Sequence, residues 1–323
     1  MKRYIKIFAF AAIATGMLAC TKGPEELEVG QKGTMNIEAS IVPATTSDQN
    51  TIDQSWELGD QISLLSSGGN FTFTGKSAGA ISEFTGEAVQ LPSSEKYIAV
   101  FPGDETYTLN GRSFNVSIPK FISPIPEELK CALGTGIVSG DKVEIKHATG
   151  YLCFTVSRSD ISHIIIKSAN GEALSGTFKA TVASDGNTGL EPVEASDEIL
   201  IETQALAGTY FVPMPAKTCN GFSISLKSVE GIAEYDVERY LKVVPGRIYD
   251  LGTIDENIEW EPVTAPEIKA LAVSSGTATV SWSITNFASA SRDILEDWSV
   301  GIYNDEGCTD LRVSWALGDM FCR

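Results

Sequence analysis

Apolar and polar residues alternate with a period of two along most of the chain. The alternation runs through residues 35–41, 71–73, 114–118 and 222–226. A strand with this pattern turns one face to a core and the other to water, which is typical of antiparallel sheets. Clusters of Gly, Ser, Asn and Asp separate these segments, as turns require. The pattern therefore predicts an all-β protein built from antiparallel β-sandwiches.

Helical signals are few. Residues 126–134, PEELKCALG, form one short candidate, with Pro126 in the first turn and Gly134 at the C-terminal cap. Residues 291–298 form a second candidate. We expect almost no other helix, and we expect the strand cores to bury Trp56, Tyr97, Phe101, Leu152, Phe154, Phe211 and Ile224.

The length of the chain predicts more than one core. Without its first 20 residues the chain has about 300, too many for one core at roughly 150 residues per domain. The predicted order is a signal peptide (1–20), a flexible tether (21–33), a first sandwich (34–141), a second sandwich (142–258), a linker (259–263) and a third block (264–323).

The N-terminus has the layout of a secretory signal peptide. Three cationic residues precede an apolar run at 7–18, which is shorter than the ~20 apolar residues of a membrane-spanning helix. Ala19 and Cys20 end the run and resemble the lipobox of bacterial lipoproteins, although Met17 stands where that pattern prefers Leu. The resemblance implies that the Cys20 thiol carries a lipid. An ordinary signal peptide or a short anchor is the alternative.

The tether that follows is polar and acidic. Its composition cannot bury enough apolar surface to fold. Glu25, Glu26 and Glu28 lie just after Cys20 and resemble the signal that sends some Gram-negative lipoproteins to the outer surface. We therefore expect a protein held on the outer membrane by its lipid and exposed on the cell surface.

Composition argues against several classes of function. The chain carries 42 acidic and 24 basic residues, a net charge of −18, and such a surface repels nucleic acid. The cysteines after Cys20 are odd in number and show no CxxC spacing, which argues against a disulfide framework or a zinc site. We expect most of them to be buried apolar side chains, and they are Cys131, Cys153, Cys219, Cys308 and Cys322.

The sequence contains no HExxH, GxGxxG, P-loop or CxxC motif. The chain has two histidines, which leaves little room for a catalytic triad or a zinc centre. His147 shares a strand face with Val143 and Ile145, which favours a half-buried, hydrogen-bonded side chain over a metal ligand or general base. His163 is interpreted as a strand end. We predict a protein that is not an enzyme and that has no cofactor, metal or catalytic residue.

Five short patterns between residues 34 and 252 occur in the order that is typical of one family. They are SWELGDQISL, FTGEA followed by YIAVFP, VEIKHATGYLCFTV, YFVPMPA and RYLKVVPGRIYDL. Together they resemble the fimbrillin family of Gram-negative surface lipoproteins, which includes type V pilus subunits. The resemblance implies two tandem transthyretin-like sandwiches. We interpret Trp56 as a core aromatic before a tight turn rather than a sugar platform, and Gly246 as a turn glycine.

The third block resembles the start of a fibronectin type III module, with Trp282 in the core position of the second strand. Such a sandwich takes about 90–100 residues, and this block is shorter. We expect an incomplete module that is loosely packed as it stands, with a natural gene that continues beyond Arg323. The alternative is a finished block that docks its open face on the second sandwich.

Two functional hypotheses remain. In the first, the protein is a structural or adhesive pilus component that contacts other subunits by strand addition. Shaft pilins of the family lose their N-terminal segment by cleavage after a basic residue, usually Arg, but no Arg lies between Arg3 and Arg112, and Lys32 is the one basic residue near the right place. We therefore favour an anchor or accessory role. In the second, the protein is a non-polymerising surface lipoprotein whose modules bind host or microbial surface ligands such as glycans.

Overall fold

The computed structural model describes residues 29–122, 129–202, 207–228, 231–238, 240–256 and 258–262, and the backbone of four strands between residues 267 and 316. Within these residues the chain forms strands and no helix. The all-β prediction is therefore confirmed for the described part of the chain.

The strands of the first half of the chain are β1 (Lys32–Ile41), β2 (Ala44–Thr45), β3 (Thr51–Ile52), β4 (Gln61–Ser66), β5 (Gly69–Gly75), β6 (Ile81–Val89), β7 (Ile98–Phe101), β8 (Ser113–Ile118), β9 (Phe121–Ile122), β10 (Gly134–Ile137), β11 (Lys142–His147), β12 (Thr149–Val156) and β13 (His163–Ser168). Those of the second half are β14 (Ser175–Val182), β15 (Thr188–Ser196), β16 (Glu198–Glu202), β17 (Gly208–Pro215), β18 (Thr218–Cys219), β19 (Phe222–Lys227), β20 (Ile232–Val237), β21 (Leu241–Lys242), β22 (Ile248–Thr253), β23 (Glu267–Ser274), β24 (Thr277–Ser283), β25 (Ser299–Tyr303) and β26 (Leu311–Ala316).

The period of two in the sequence corresponds to burial in the structure. In β8, Phe114, Val116 and Ile118 are buried, while the residues between them face water. The second half of β1 alternates in the same way. Strands of this kind are stabilised by one apolar face, so the alternation fixes which face turns to the core.

The first helix candidate is wrong where the structure describes it. Residues 129–133 are irregular, and Gly134 begins β10 instead of capping a helix. A Cβ atom at Gly134 would lie 2.5 Å from Cγ2 of Ile145 on β11, so glycine is needed here for close strand packing rather than for a helix end. Residues 123–128 and the second candidate, 291–298, lie outside the described residues.

Seven strands form a closed sheet in the order β1-β11-β10-β7-β4-β5-β6. Strand β1 pairs with β6 in antiparallel fashion through nine residues and with β11 in parallel fashion through four. The interior of this closed sheet is apolar, and its largest fully buried side chains are Trp56, Phe73, Phe84, Ile37, Ile62 and Leu64.

The sheets do not separate at residue 141, the predicted boundary between the first and the second sandwich. Strand β11 begins at Lys142 and belongs to the closed sheet. Strand β8 pairs with β14 in a three-stranded sheet, β15-β14-β8, that draws on both sides of that boundary. Phe178 of this sheet shares a core with Val100 of the closed sheet. The pairing of distant strands therefore links the two predicted units.

Two further sheets, β17-β12-β22 and β20-β19-β13-β16-β9, share one large core. Five of the predicted core residues are buried, namely Trp56, Tyr97, Leu152, Phe154 and Ile224. Phe101 and Phe211 are only half-buried. Phe101 is the last residue of β7, and Phe211 packs on the opposite face of its sheet, against a smaller cluster that contains Tyr151 and Ile248.

In the third block, β23 pairs with β24 and β25 pairs with β26, both in antiparallel fashion. The resemblance of this block to a fibronectin type III module stays a prediction.

Candidate assembly site at the N-terminal strand

The predicted lipid site, Cys20, lies outside the described residues, so its lipidation stays a prediction. The described chain begins at Val29, shortly before β1. Among the described residues, no helix has the length and apolar character that crossing a membrane demands. The same residues contain no group of three or more His, Cys, Asp or Glu side chains placed to hold a metal ion.

The C-terminal half of β1 is held on both sides and from the interior. The amide of Glu38 donates to the carbonyl of Asp141 at 2.7 Å, and the amide of Val42 donates to Ile145 at 2.9 Å. The indole Nε1–H of Trp56 donates to the carbonyl of Ala39 at 2.9 Å. Strand β1 therefore closes the sheet and carries part of its core.

Lys32, the predicted position for cleavage, is the first residue of β1. Its ammonium lies 3.3 Å from the carboxylate of Glu87, and both side chains are exposed. Backbone pairing extends two residues further toward the N-terminus. The amide of Gln90 donates to the carbonyl of Gln31, and the amide of Gly30 donates to the carbonyl of Gln90. A cut after Lys32 would therefore leave residues 33–41 hydrogen-bonded in the sheet.

The N-terminal half of β1 has one open edge. Pairing with β11 begins at Glu38, so in the described part of the chain residues 32–37 pair only with β6. Backbone groups alternate along a strand, so those of Thr34 and Asn36 point to the same side as the Glu38 amide. A cleft of about 230 Å³ lies at this end of the closed sheet and is lined in part by Met35, Tyr97 and Val138.

The Trp56 motif forms core structure. Trp56 is 1% exposed. Its ring makes edge-to-face contacts with the rings of Phe84 and Phe101, with ring centres 4.8 and 5.0 Å apart. Gly59 follows in a turn with φ of +90°. The interpretation of Trp56 as a core aromatic before a tight turn is confirmed. The sequence did not reveal that its N–H group binds β1.

His147 is buried at the end of β11, on the face of Val143 and Ile145 as predicted. Its Nε2 lies 2.9 Å from the carbonyl of Val42, and its Nδ1 lies 2.8 Å from the hydroxyl of Tyr151. A carbonyl only accepts, so Nε2 carries the proton and Nδ1 accepts from Tyr151. Burial lowers the pKa of His147. The prediction of a hydrogen-bonded histidine is confirmed, with deeper burial than expected.

Two other sequence interpretations are also confirmed. Gly246 has a φ of +70° in the turn between β21 and β22, and a Cβ atom there would lie 3.1 Å from the His147 ring. His163 begins β13. Both residues hold structural positions in the described fold.

Three of the cysteines, Cys131, Cys153 and Cys219, are free and buried. Burial raises the pKa of Cys131 and of Cys153 to about 12. A thiol that keeps its proton is a poor nucleophile. These side chains therefore act as small apolar groups, as predicted. Cys308 and Cys322 lie outside the described residues.

No protein-family profile and no curated protein matches the chain in sequence. Several solved structures are similar in part. One is a candidate cell adhesion protein from Bacteroides ovatus, at 9% identity and a TM-score of 0.46, covering 72% of this chain and 96% of that one. Another is a fimbrial protein from the same species, at 12% identity and a TM-score of 0.34, covering 70% of this chain and 49% of that one.

A third is the tip fimbrial protein Mfa3 from Porphyromonas gingivalis with a C-terminal truncation, at 9% identity and a TM-score of 0.31, covering 79% of this chain and 99% of that one. The descriptions of these structures name cell adhesion and fimbrial proteins. Each of these structures is at most 12% identical to the chain and has a TM-score below 0.5.

Proposed function

We propose that the chain is a lipid-anchored, fimbrillin-like protein of the bacterial cell surface with a structural or adhesive role and no enzymatic activity. Within that class it serves as an anchor or accessory component of a pilus rather than as a shaft subunit. The membrane is contacted through the lipid on Cys20. Other subunits and surface ligands are contacted through the folded part.

The observation that carries the choice of role is the place of Lys32 in β1. A shaft subunit must lose a strand to open a groove for its neighbour. Here the basic residue nearest the N-terminus of the folded part is itself the start of the strand that closes the sheet. No Lys or Arg lies between Lys32 and the end of β1, so cleavage after a basic residue cannot remove that strand alone.

The anchoring step is supported by the sequence. The cationic start, the short apolar run and the Ala19–Cys20 pair fit a lipoprotein signal, and acylation by two or three chains gives stable attachment at ~0.8 kcal/mol for each buried CH₂. The acidic residues after Cys20 fit export to the outer face of the outer membrane.

The anchoring proposal is tested by expressing the wild type, Cys20→Ala and Cys308→Ala in a Gram-negative host with a clickable fatty acid. Cys308 is a matched control, since it removes a thiol from the far end of the chain. We expect the wild type and Cys308→Ala to label and to stay with membranes, and Cys20→Ala to lose both properties. Membrane-bound and labelled Cys20→Ala would overturn the proposal.

A further inference from the structure

The segment that was predicted to be a linker is bound to a sheet edge. Strand β20 is the edge strand of its five-stranded sheet. The amide of Ile232, its first residue, donates to the carbonyl of Glu261 at 2.9 Å, and the amide of Glu261 donates back at 2.8 Å. This reciprocal pair is the hydrogen-bond pattern of an antiparallel ladder.

An aromatic clamp lies beside this bridge. Trp260 packs against the core that the two sheets share. The guanidinium of Arg158 lies 4.6 Å from the centre of the Trp260 ring, a cation–π contact. The carboxylate of Asp160 holds that guanidinium with two hydrogen bonds, at 2.8 and 2.6 Å.

The loop that carries Arg158 is fixed in turn. Asp255, which is 7% exposed, accepts from the amide of Arg158 at 2.8 Å. It also accepts from the amide and the hydroxyl of Ser157 at 2.9 and 3.0 Å. Hydrogen bonds to a carboxylate are the stronger kind. The chain after β22 therefore fastens the loop before β13, and that loop holds Trp260.

Gly231 supplies the space for this contact. Its φ is +149°, and a Cβ atom built on it would lie 2.1 Å from the carbonyl oxygen of Glu261. A real Cβ atom cannot approach backbone so closely. Any other residue at position 231 would push the segment away from β20, so a glycine here is a requirement of the contact itself.

We propose that residues 258–262 are a fixed strap rather than a flexible linker. The strap ties the chain that leaves β22 to the far sheet, at the edge of β20. A pull on the chain beyond residue 262 then loads the Trp260 clamp and the Glu261 bridge before it reaches β22. The lipid on Cys20 and the role in a pilus have no part in this inference.

The test uses a glutamate-specific endoprotease on the full-length chain, because Glu259 and Glu261 lie within the strap. We expect the wild type to resist cleavage at both residues under native conditions. Trp260→Ala should be cut there about tenfold faster, as expected for the loss of a partly desolvated cation–π contact. Tyr240→Ala removes an exposed aromatic residue near β20 and should behave as the wild type does.

Gly231→Ala isolates the steric requirement. Gly171 has a φ of +72° with no atom near its Cβ position, so Gly171→Ala is a control for backbone strain without the clash. Hydrogen exchange at the Glu261 amide should accelerate in Gly231→Ala and stay slow in Gly171→Ala.

Exchange in β13 and β19 reports whether each variant still folds. If Trp260→Ala loses protection there, Arg158→Gln replaces it, since that change keeps the Trp260 ring and removes the cation together with its hydrogen bonds to Asp160. The proposal fails if wild-type Glu259 and Glu261 are cut as fast as in an unfolded peptide of the same sequence. It also fails if Gly231→Ala, with β13 and β19 intact, keeps the wild-type exchange rate at Glu261.

Discussion

Two substitutions at Trp56 should separate what its packing and what its hydrogen bond contribute to the stability of the closed sheet. The side chain is 1% exposed, so Trp56→Ala leaves a cavity, and such truncations cost ~3–5 kcal/mol of unfolding free energy. Two edge-to-face ring contacts contribute about 0.5–1.5 kcal/mol each to that sum. Trp56→Phe keeps a ring and loses the bond to Ala39, which should cost about 1–2 kcal/mol.

The assay is urea unfolding followed by far-UV circular dichroism, combined with hydrogen exchange in β1 and in β13. Because the indole binds Ala39, exchange in β1 should rise more than exchange in β13 in both variants. Leu58→Ala, in the following turn, is the control: Leu58 is 73% exposed, and surface changes of this kind stay within about 0.5 kcal/mol. The reasoning is refuted if Trp56→Ala costs less than about 1 kcal/mol or if Trp56→Phe costs as much as Trp56→Ala.

Three more predictions concern a histidine, a glycine and two cysteines. His147 has a pKa below 6.5 in the folded state because of burial, so the unfolded chain binds more protons as the pH falls below 6.5. Thermal melts should therefore show full stability above pH 6.5 and a decline below it. His147→Gln should remove this part of the decline. If the slope of stability against pH is unchanged in His147→Gln, the lowered pKa of His147 is contradicted. A Cβ atom at Gly86 would lie 2.6 Å from a backbone carbonyl of β5, so Gly86→Ala should cost about 1–3 kcal/mol in urea unfolding, whereas Gly189→Ala, in open space, should cost less than 1 kcal/mol. Peptide mapping after iodoacetamide treatment at pH 8 should find Cys131 and Cys153 unmodified in the native chain and modified in urea. The reason is that burial raises the pKa of both thiols to about 12. If the native chain is modified as fast as the unfolded chain, the two cysteines are not inert core residues.

Local patterns were sufficient to predict the strands but not their partners. The alternation in β8 and β11 is visible in sequence because each strand buries one face. The parallel pairing of β11 with β1 joins residues about 100 positions apart, and no local signal specifies it. Residue 141, the predicted boundary, lies in the turn between β10 and β11, and a turn shows where a strand ends without showing which sheet the next strand joins.

The helix candidate failed for a related reason. Pro126 and Gly134 carry helix-end chemistry, but Gly134 is needed because β11 approaches it closely. Glycine serves turns, caps and close contacts alike, and only tertiary structure separates these uses. The strap at Trp260 falls within the segment that is predicted to be a linker, and the glycine that makes room for its contact with β20, Gly231, lies 29 positions earlier in the chain.

The central claim, an anchored chain that keeps β1, is tested most directly by mass spectrometry of its N-terminal peptide. The protein would be isolated from the outer membrane of a Gram-negative host that processes lipoproteins. The account predicts a peptide that starts at an acylated Cys20 and continues through Lys32 into β1. An N-terminus at Gly33 or at any later residue would show that the anchor is removed and would contradict the account.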